Sequence, residues 1–215
     1  MQIKITGSGS YIPTIKVSNS DFSEHYFLNE DGSAFNMTNE VIAKKFVEIT
    51  GILERRYADL EMVNSDMAFI AAKKAIENSG IDPETLDYII FAHNYGDIKS
   101  NSIQSDTVPS LATRVKYLLQ IKNPKCVAYD ILFGCPGWIE ALIQAQAYIK
   151  AGMAKKCLVI GSETLSRVVD IHDRDSMIYS DGAGATVIEA TEETGGIIAH
   201  ESATYSFDEA KYLFF

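Results

Sequence analysis

Cys135 is the residue whose neighbours best suit it to act as a nucleophile. It closes the apolar, β-prone run Ala128-Tyr129-Asp130-Ile131-Leu132-Phe133-Gly134 and is followed at once by Pro136-Gly137-Trp138. A strand that ends at a thiol, with a helix starting behind it, aims the sulfur outward at the strand's carboxyl end. Pro136 suits the first position of that helix, because its φ is already fixed and it has no amide hydrogen to leave unpaired. The free amides of a helix start carry partial positive charge. That favours thiolate over thiol, and the thiolate is the reactive form. A small buried residue at a strand end would give the same pattern, since cysteine is among the most buried residue types. Spacing alone leaves both readings open.

Other chemistries find less support. Cys126, Cys135 and Cys157 are odd in number and form no C-x-x-C pair, so neither a disulfide framework nor a zinc site is expected. Gly7-Ser8-Gly9-Ser10-Tyr11-Ile12-Pro13 invites a phosphate-loop reading, but Ile12 stands where the third glycine of G-x-G-x-x-G belongs. The glycines are therefore assigned a backbone role. A nucleophile elbow would need G-x-C-x-G. Gly134 abuts Cys135 directly, so a cysteine hydrolase is disfavoured. His25, His93, His172 and His200 carry no motif and are read as ordinary surface or core residues.

The elements that must position Cys135 come from a chain of 215 residues, 47% hydrophobic and 22% charged, enough for a substantial core. A formal net charge of −10 argues against nucleic-acid binding, which needs a basic stripe to displace counterions. No run approaches bilayer-spanning length, and Met1-Gln2-Ile3-Lys4-Ile5 does not open a secretion signal. A reducing cytoplasm is the expected setting. Strands are predicted over residues 2–7, 87–92, 125–132, 156–161, 185–190 and 196–203, with 125–132 central. Residues 18–36 read as a short helix and a loop. Helices are predicted from Thr38-Asn39 to a stop at Gly51, over 66–79, from Pro109 to about 120, and over 136–151. Strand–helix alternation argues for an α/β fold with a largely parallel sheet. The last two strands lack a helix between them and are predicted to pair as a hairpin turning at 192–195.

Several segments, in order along the chain, resemble those of β-ketoacyl-acyl carrier protein synthase III, a condensing enzyme of the thiolase superfamily. Gly7 to Pro13 is similar to the family's opening strand and turn. Thr50-Gly51-Ile52-Leu53-Glu54-Arg55-Arg56 resembles T-G-I-x-E-R, and Pro109-Ser110 the P-S before the third helix. Asp130 to Gly137 resembles D-x-x-x-x-C-x-G. Gly161-Ser162-Glu163, Asp173-Arg174 and Asp181-Gly182-Ala183-Gly184-Ala185 follow in register. The resemblance covers the whole chain as the amino-terminal half, residues 1–215, of a thiolase-like αβαβα fold. That half is expected to hold a five-stranded mixed sheet with helices on its faces, and the carboxy-terminal half lies outside this chain.

The resemblance implies an acyltransferase of fatty-acid or related polyketide biosynthesis. Cys135 would accept an acyl group from a thioester. Decarboxylative Claisen condensation with malonyl-acyl carrier protein would then give a 3-oxoacyl product. Acyl-coenzyme A, or another acyl thioester, and the carrier protein are implied as substrates and partners, with no cofactor or metal. The chain is implied to form a homodimer. Thr50, Val108 and Arg174 are the implied substrate-binding residues, with Val108 reaching across the dimer to line the partner's acyl pocket. A tryptophan and an arginine that help hold coenzyme A in the best-studied members fall at Lys45 and Ile49 here, and residues 28–40 form a nearby insertion. A longer or different acyl donor is therefore expected. The family's catalytic histidine and asparagine belong to the second half, so these residues alone are expected to form half an active site, without condensing activity. They are also expected to expose apolar surface, and therefore to dimerise, aggregate or show disorder near residues 93–107 and at the C-terminus. The alternatives are a paralogous condensing enzyme of secondary metabolism, or a non-catalytic dimerisation half.

Overall fold

The computed structural model describes residues 2–210 and 212. Its centre is a mixed five-stranded sheet in the order β1-β7-β6-β4-β5, built from β1 (Gln2–Tyr11), β4 (Tyr88–Ala92), β5 (Val127–Ile131), β6 (Lys156–Glu163) and β7 (Gly182–Thr191). β4 runs parallel to both β5 and β6, whereas β7 is antiparallel to both β6 and β1. A separate ribbon pairs β2 (Ile15–Ser18) with β3 (Glu54–Tyr57).

Successive side chains of a strand leave opposite faces, and here both faces are covered. On one side, Ile89, Phe91, Leu158, Ile160 and Val187 pack beneath α2 (Asn64–Ser79) and α3 (Leu111–Leu118). On the other, Ile90, Cys157, Val159 and Ile188 pack beneath α4 (Gly137–Lys150). This is why the runs in β4 and β6 read as continuously apolar rather than alternating. A third core gathers Phe22, Phe27, Ile42 and Met177 around α1 (Asn39–Thr50). α1 and α2 both end where expected, at Gly51 and Gly80 in the left-handed region.

The opening glycines are explained by packing rather than by phosphate. α2 turns the fully buried Ala68, Ala71, Ala72 and Ala75 inward, and β1 lies directly against that small-residue face. A Cβ on Gly9 would overlap the carbonyl oxygen of Ala71 and the amide nitrogen of Ala75, and one on Gly7 would overlap the carbonyl oxygen of Ala75. Because the obstruction is backbone, Gly9→Ala must push β1 off the helix. We expect a loss of about 2 kcal/mol, read from the urea midpoint. An unchanged midpoint would show that the approach is looser than this.

Three expectations are corrected. Residues 196–203 form no strand. β7 already has β6 on one side and β1 on the other, so no position beside it is open for a hairpin partner. The segment instead runs along α4, where Gln146 Nε2 donates to the Ile197 carbonyl and Ser202 Oγ to Glu140. β5 is an edge strand, not the central one. Pro109 precedes α3 rather than entering it, because Ser110 is the N-cap and accepts the Thr113 amide. Residues 93–107 are held by the Asp97–Asp106 bridge and by Arg114, which pairs with both of those carboxylates. The expectation for the C-terminus falls partly outside the described residues.

Candidate active site

Cys135 lies in the loop between β5 and α4, and its thiol is exposed. It lines an open cleft of about 480 Å³ at the carboxyl ends of β4 and β6, with His93, Asn94, Trp138 and Glu163 among the walls. Crevices beyond the carboxyl ends of parallel strands are where ligands of α/β sheets bind. Pro136 is the N-cap of α4 and Gly137 its first residue, so the helix begins two residues after the sulfur and presents its amino end toward the cleft.

The spacing around the thiol follows from close contacts. Gly134 adopts φ +64, and the Gly137 amide closes the turn on its carbonyl at 3.1 Å. Gly137 is buried, and a Cβ there would stand 3.0 Å from that of Ala92 at the end of β4. Gly161 makes the matching concession in β6, where Trp138 packs across it. C-P-G-W and G-S-E are therefore the two sides of one helix-on-sheet contact.

The other thiols are chemically remote. Cys126 and Cys157 are buried, and burial pushes them up to about 11 and about 12 respectively. The reading of Cys135 as a merely buried thiol does not describe its position in the structure.

His93 is next to the site but already engaged. Its Nδ1 accepts the Gly96 amide at 3.1 Å, which leaves Nε2 as the donor to Asp130 at 3.0 Å. Asp130 also accepts the amides of Leu111 and Ala112 at 2.7 and 2.8 Å. One carboxylate thus ties β5, the start of α3 and the β4 loop together. Sequence reading missed this network because it joins residues up to 37 positions apart. The available signal was an aspartate inside an apolar strand, which must find donors when buried. Among the described residues, none of the four histidines hydrogen-bonds Cys135.

The other anticipated residues lie elsewhere. Arg174 opens a short 3₁₀ turn, Arg174–Ile178, and is half-exposed. Its guanidinium lies 4.6 Å from the centre of the Phe35 ring, so residue 35 of the insertion stacks on it. That turn is anchored by the buried Arg55, whose Nε donates to the Met177 carbonyl at 3.0 Å and whose Nη2 reaches Asn19. Thr50 closes α1, its hydroxyl donating to Phe46 and accepting the Ile52 amide. Val108 is 84% exposed. Neither Thr50 nor Val108 lines the cleft. At the positions of the missing family residues, Lys45 reaches the sulfur of Met37, and Ile49 is exposed. Asp181 accepts the amides of Ala58 and Ser166, a bracing role. Among the described residues, no group of three His, Cys, Asp or Glu could hold a metal ion, and no helix is long and apolar enough to cross a membrane.

This arrangement of sheet, cysteine and helix is similar to that of known proteins. The family model described as 3-oxoacyl-[acyl-carrier-protein] synthase III matches residues 129–206. β-Ketoacyl-[acyl-carrier-protein] synthase III 1 of Vibrio vulnificus is 39% identical over 97% of this chain and 59% of its own. The crystal structure of 3-oxoacyl-[acyl-carrier-protein] synthase III from Aquifex aeolicus is 35% identical and superposes with a TM-score of 0.72, covering 89% of this chain and 55% of the other. The priming β-ketosynthase of the R1128 polyketide pathway is 26% identical with a TM-score of 0.72, over 90% and 52%. The chain is thus similar, over most of its own length, to β-ketoacyl-[acyl-carrier-protein] synthase III proteins. It spans less than two thirds of the length of the curated relatives it matches.

Proposed function

We propose that the protein is an acyltransferase that starts chain assembly in fatty-acid or related polyketide biosynthesis. The observation that carries this is the exposed Cys135 at the amino end of α4, inside the cleft beyond the parallel strands. Its thiolate attacks the carbonyl of an acyl thioester, the donor thiol leaves, and the acyl group stays on Sγ. A malonyl group on acyl carrier protein then loses carbon dioxide. The resulting carbanion attacks the acyl carbon, and Cys135 departs as thiolate from the 3-oxoacyl product. His93 is hydrogen-bonded at both ring nitrogens, to Asp130 and to the Gly96 amide, and not to Cys135. The resemblance assigns the histidine and asparagine of the family mechanism to the part of the longer relatives that this chain does not match, so condensation is not assigned to these residues alone.

Coenzyme A is the proposed carrier of the donor acyl group, with Arg174 and Phe35 offering it a cation and an aromatic face. The small, exposed Val108 suits a longer or branched chain. In an acyl-coenzyme A series with the full-length protein, acylation of Cys135, followed by intact mass, should be faster for medium or branched chains than for acetyl. A rate that is highest with acetyl and falls steeply with length would overturn the donor assignment.

The working form is a homodimer. Among the described residues β5 has a partner on one side only, and Leu132 and Ile139 beside it are 68% and 56% exposed. An unpaired edge beside apolar surface favours association with a second copy. Sedimentation velocity should give a dimer that dissociates in the variant Leu132→Glu with Ile139→Glu. A wild-type monomer at micromolar concentration would refute it. Free thiols throughout suit the cytoplasm as its place of action.

A further inference from the structure

Glu163 ends β6 with its carboxylate in the cleft, and among the described residues no lysine or arginine pairs with it. Burial pushes its carboxyl above the usual range, and donors from Asn94 and Thr164 offset part of that rise. A half-buried carboxylate without a cation is costly unless it accepts strong hydrogen bonds. Its shortest is from the Asn94 amide at 2.6 Å, in the range of charge-assisted bonds. Asn64 Nδ2 approaches its other oxygen at 3.4 Å.

Asn94 passes that restraint on. Its side-chain Oδ1 accepts the Gly134 amide at 3.1 Å, and Gly134 precedes Cys135. Residues 132–136 are all exposed. Within them the left-handed Gly134 is the residue fixed to the body of the protein through its amide. We propose that Glu163 is a positioning residue for Cys135, acting through Asn94 to hold the Gly134 turn that places the sulfur at the start of α4. The proposal rests on Cys135 being the acyl acceptor, and it adds two residues to a site otherwise described by the cysteine alone.

The test is the rate at which iodoacetamide alkylates Cys135 in the full-length protein, with peptide mass spectrometry to assign the thiol. This needs no acyl donor. Failure of wild-type acylation by thioesters is therefore distinguishable from failure of the positioning role. Asn94→Ala should slow alkylation about tenfold, the scale expected when a reacting group is misplaced by a fraction of an ångström to an ångström. Glu163→Gln and Glu163→Ala remove the same charge but differ in the acceptor oxygen. The Glu163→Gln variant should therefore react about tenfold faster than the Glu163→Ala variant. Its new amide can be met by Asn64, whose buried Oδ1 has no partner. The double variant Asn94→Ala, Glu163→Ala should be no slower than the slower single, because both act along one chain of contacts. Cys126 and Cys157 should stay unreactive in each. Asn94 is exposed, so its variant carries the test if Glu163→Ala does not fold. Wild-type reactivity in Asn94→Ala, equal rates for the two Glu163 variants, or additive losses would overturn the proposal.

Discussion

Under the proposed function, replacement of Cys135 by alanine is expected to lower condensing activity by at least about a thousandfold, because the acyl group then has no covalent acceptor. The fold should be untouched. The residue is exposed, and surface changes of this kind usually shift stability by less than about 0.5 kcal/mol. Neither remaining thiol can substitute, since Cys126 and Cys157 are buried under the helices that cover the sheet. The measurement is product formation from acyl-coenzyme A and malonyl-acyl carrier protein, with the urea midpoint as control. Serine should not rescue the reaction, since its un-ionised hydroxyl is a far weaker nucleophile than a thiolate. Residual activity above about one part in a hundred for Cys135→Ala would mean that another group accepts the acyl chain.

The second large effect concerns stability. Asp130→Ala should cost about 3 kcal/mol in a urea titration. It removes one carboxylate that accepts from His93 and from the first two amides of α3. Those donors are then buried without partners, which costs more than the bonds themselves contributed. Asp130→Asn keeps one carbonyl acceptor and should lose about half as much. A loss below about 1 kcal/mol for the alanine variant would show that water replaces the carboxylate.

The Cys135 loop was legible because its cues are local. Pro136 marked the helix start to within one residue, being its N-cap rather than its first residue, whereas the steric reasons for Gly134 and Gly137 appear only in the structure. Gly7 and Gly9 were likewise assigned to the backbone on the failure of one motif position, and the alanine face of α2 shows why. The layers followed from strand–helix alternation, but the order within the sheet did not. Residues 125–132 read the same at an edge as at the centre, because an apolar strand records that it is covered and not what lies beside it. The predicted hairpin erred for a related reason. Nearness in sequence suggested 196–203 as a partner of β7, whereas its partners are β6 and β1, the latter starting at Gln2. The two clamps of the site, Asp130 on His93 and Glu163 on Asn94, depend on this long-range order and were invisible to local reading.

The position of β7 bears on how the chain can be made. It is the last strand of the sheet in sequence and stands inside it, between the first strand and β6. While residues 182–191 are still within the ribosome, β1 has no strand to join and β6 has a bare edge. The amino-terminal strand must therefore wait, shielded at best by the alanine face of α2, through the synthesis of the other strands of the sheet. Contacts of such long sequence separation form slowly, and unpaired edges are the hazard of that interval. The glycines of β1 gain a second meaning from this timing. By letting the strand lie flush on α2, they give it somewhere to rest before the sheet can close.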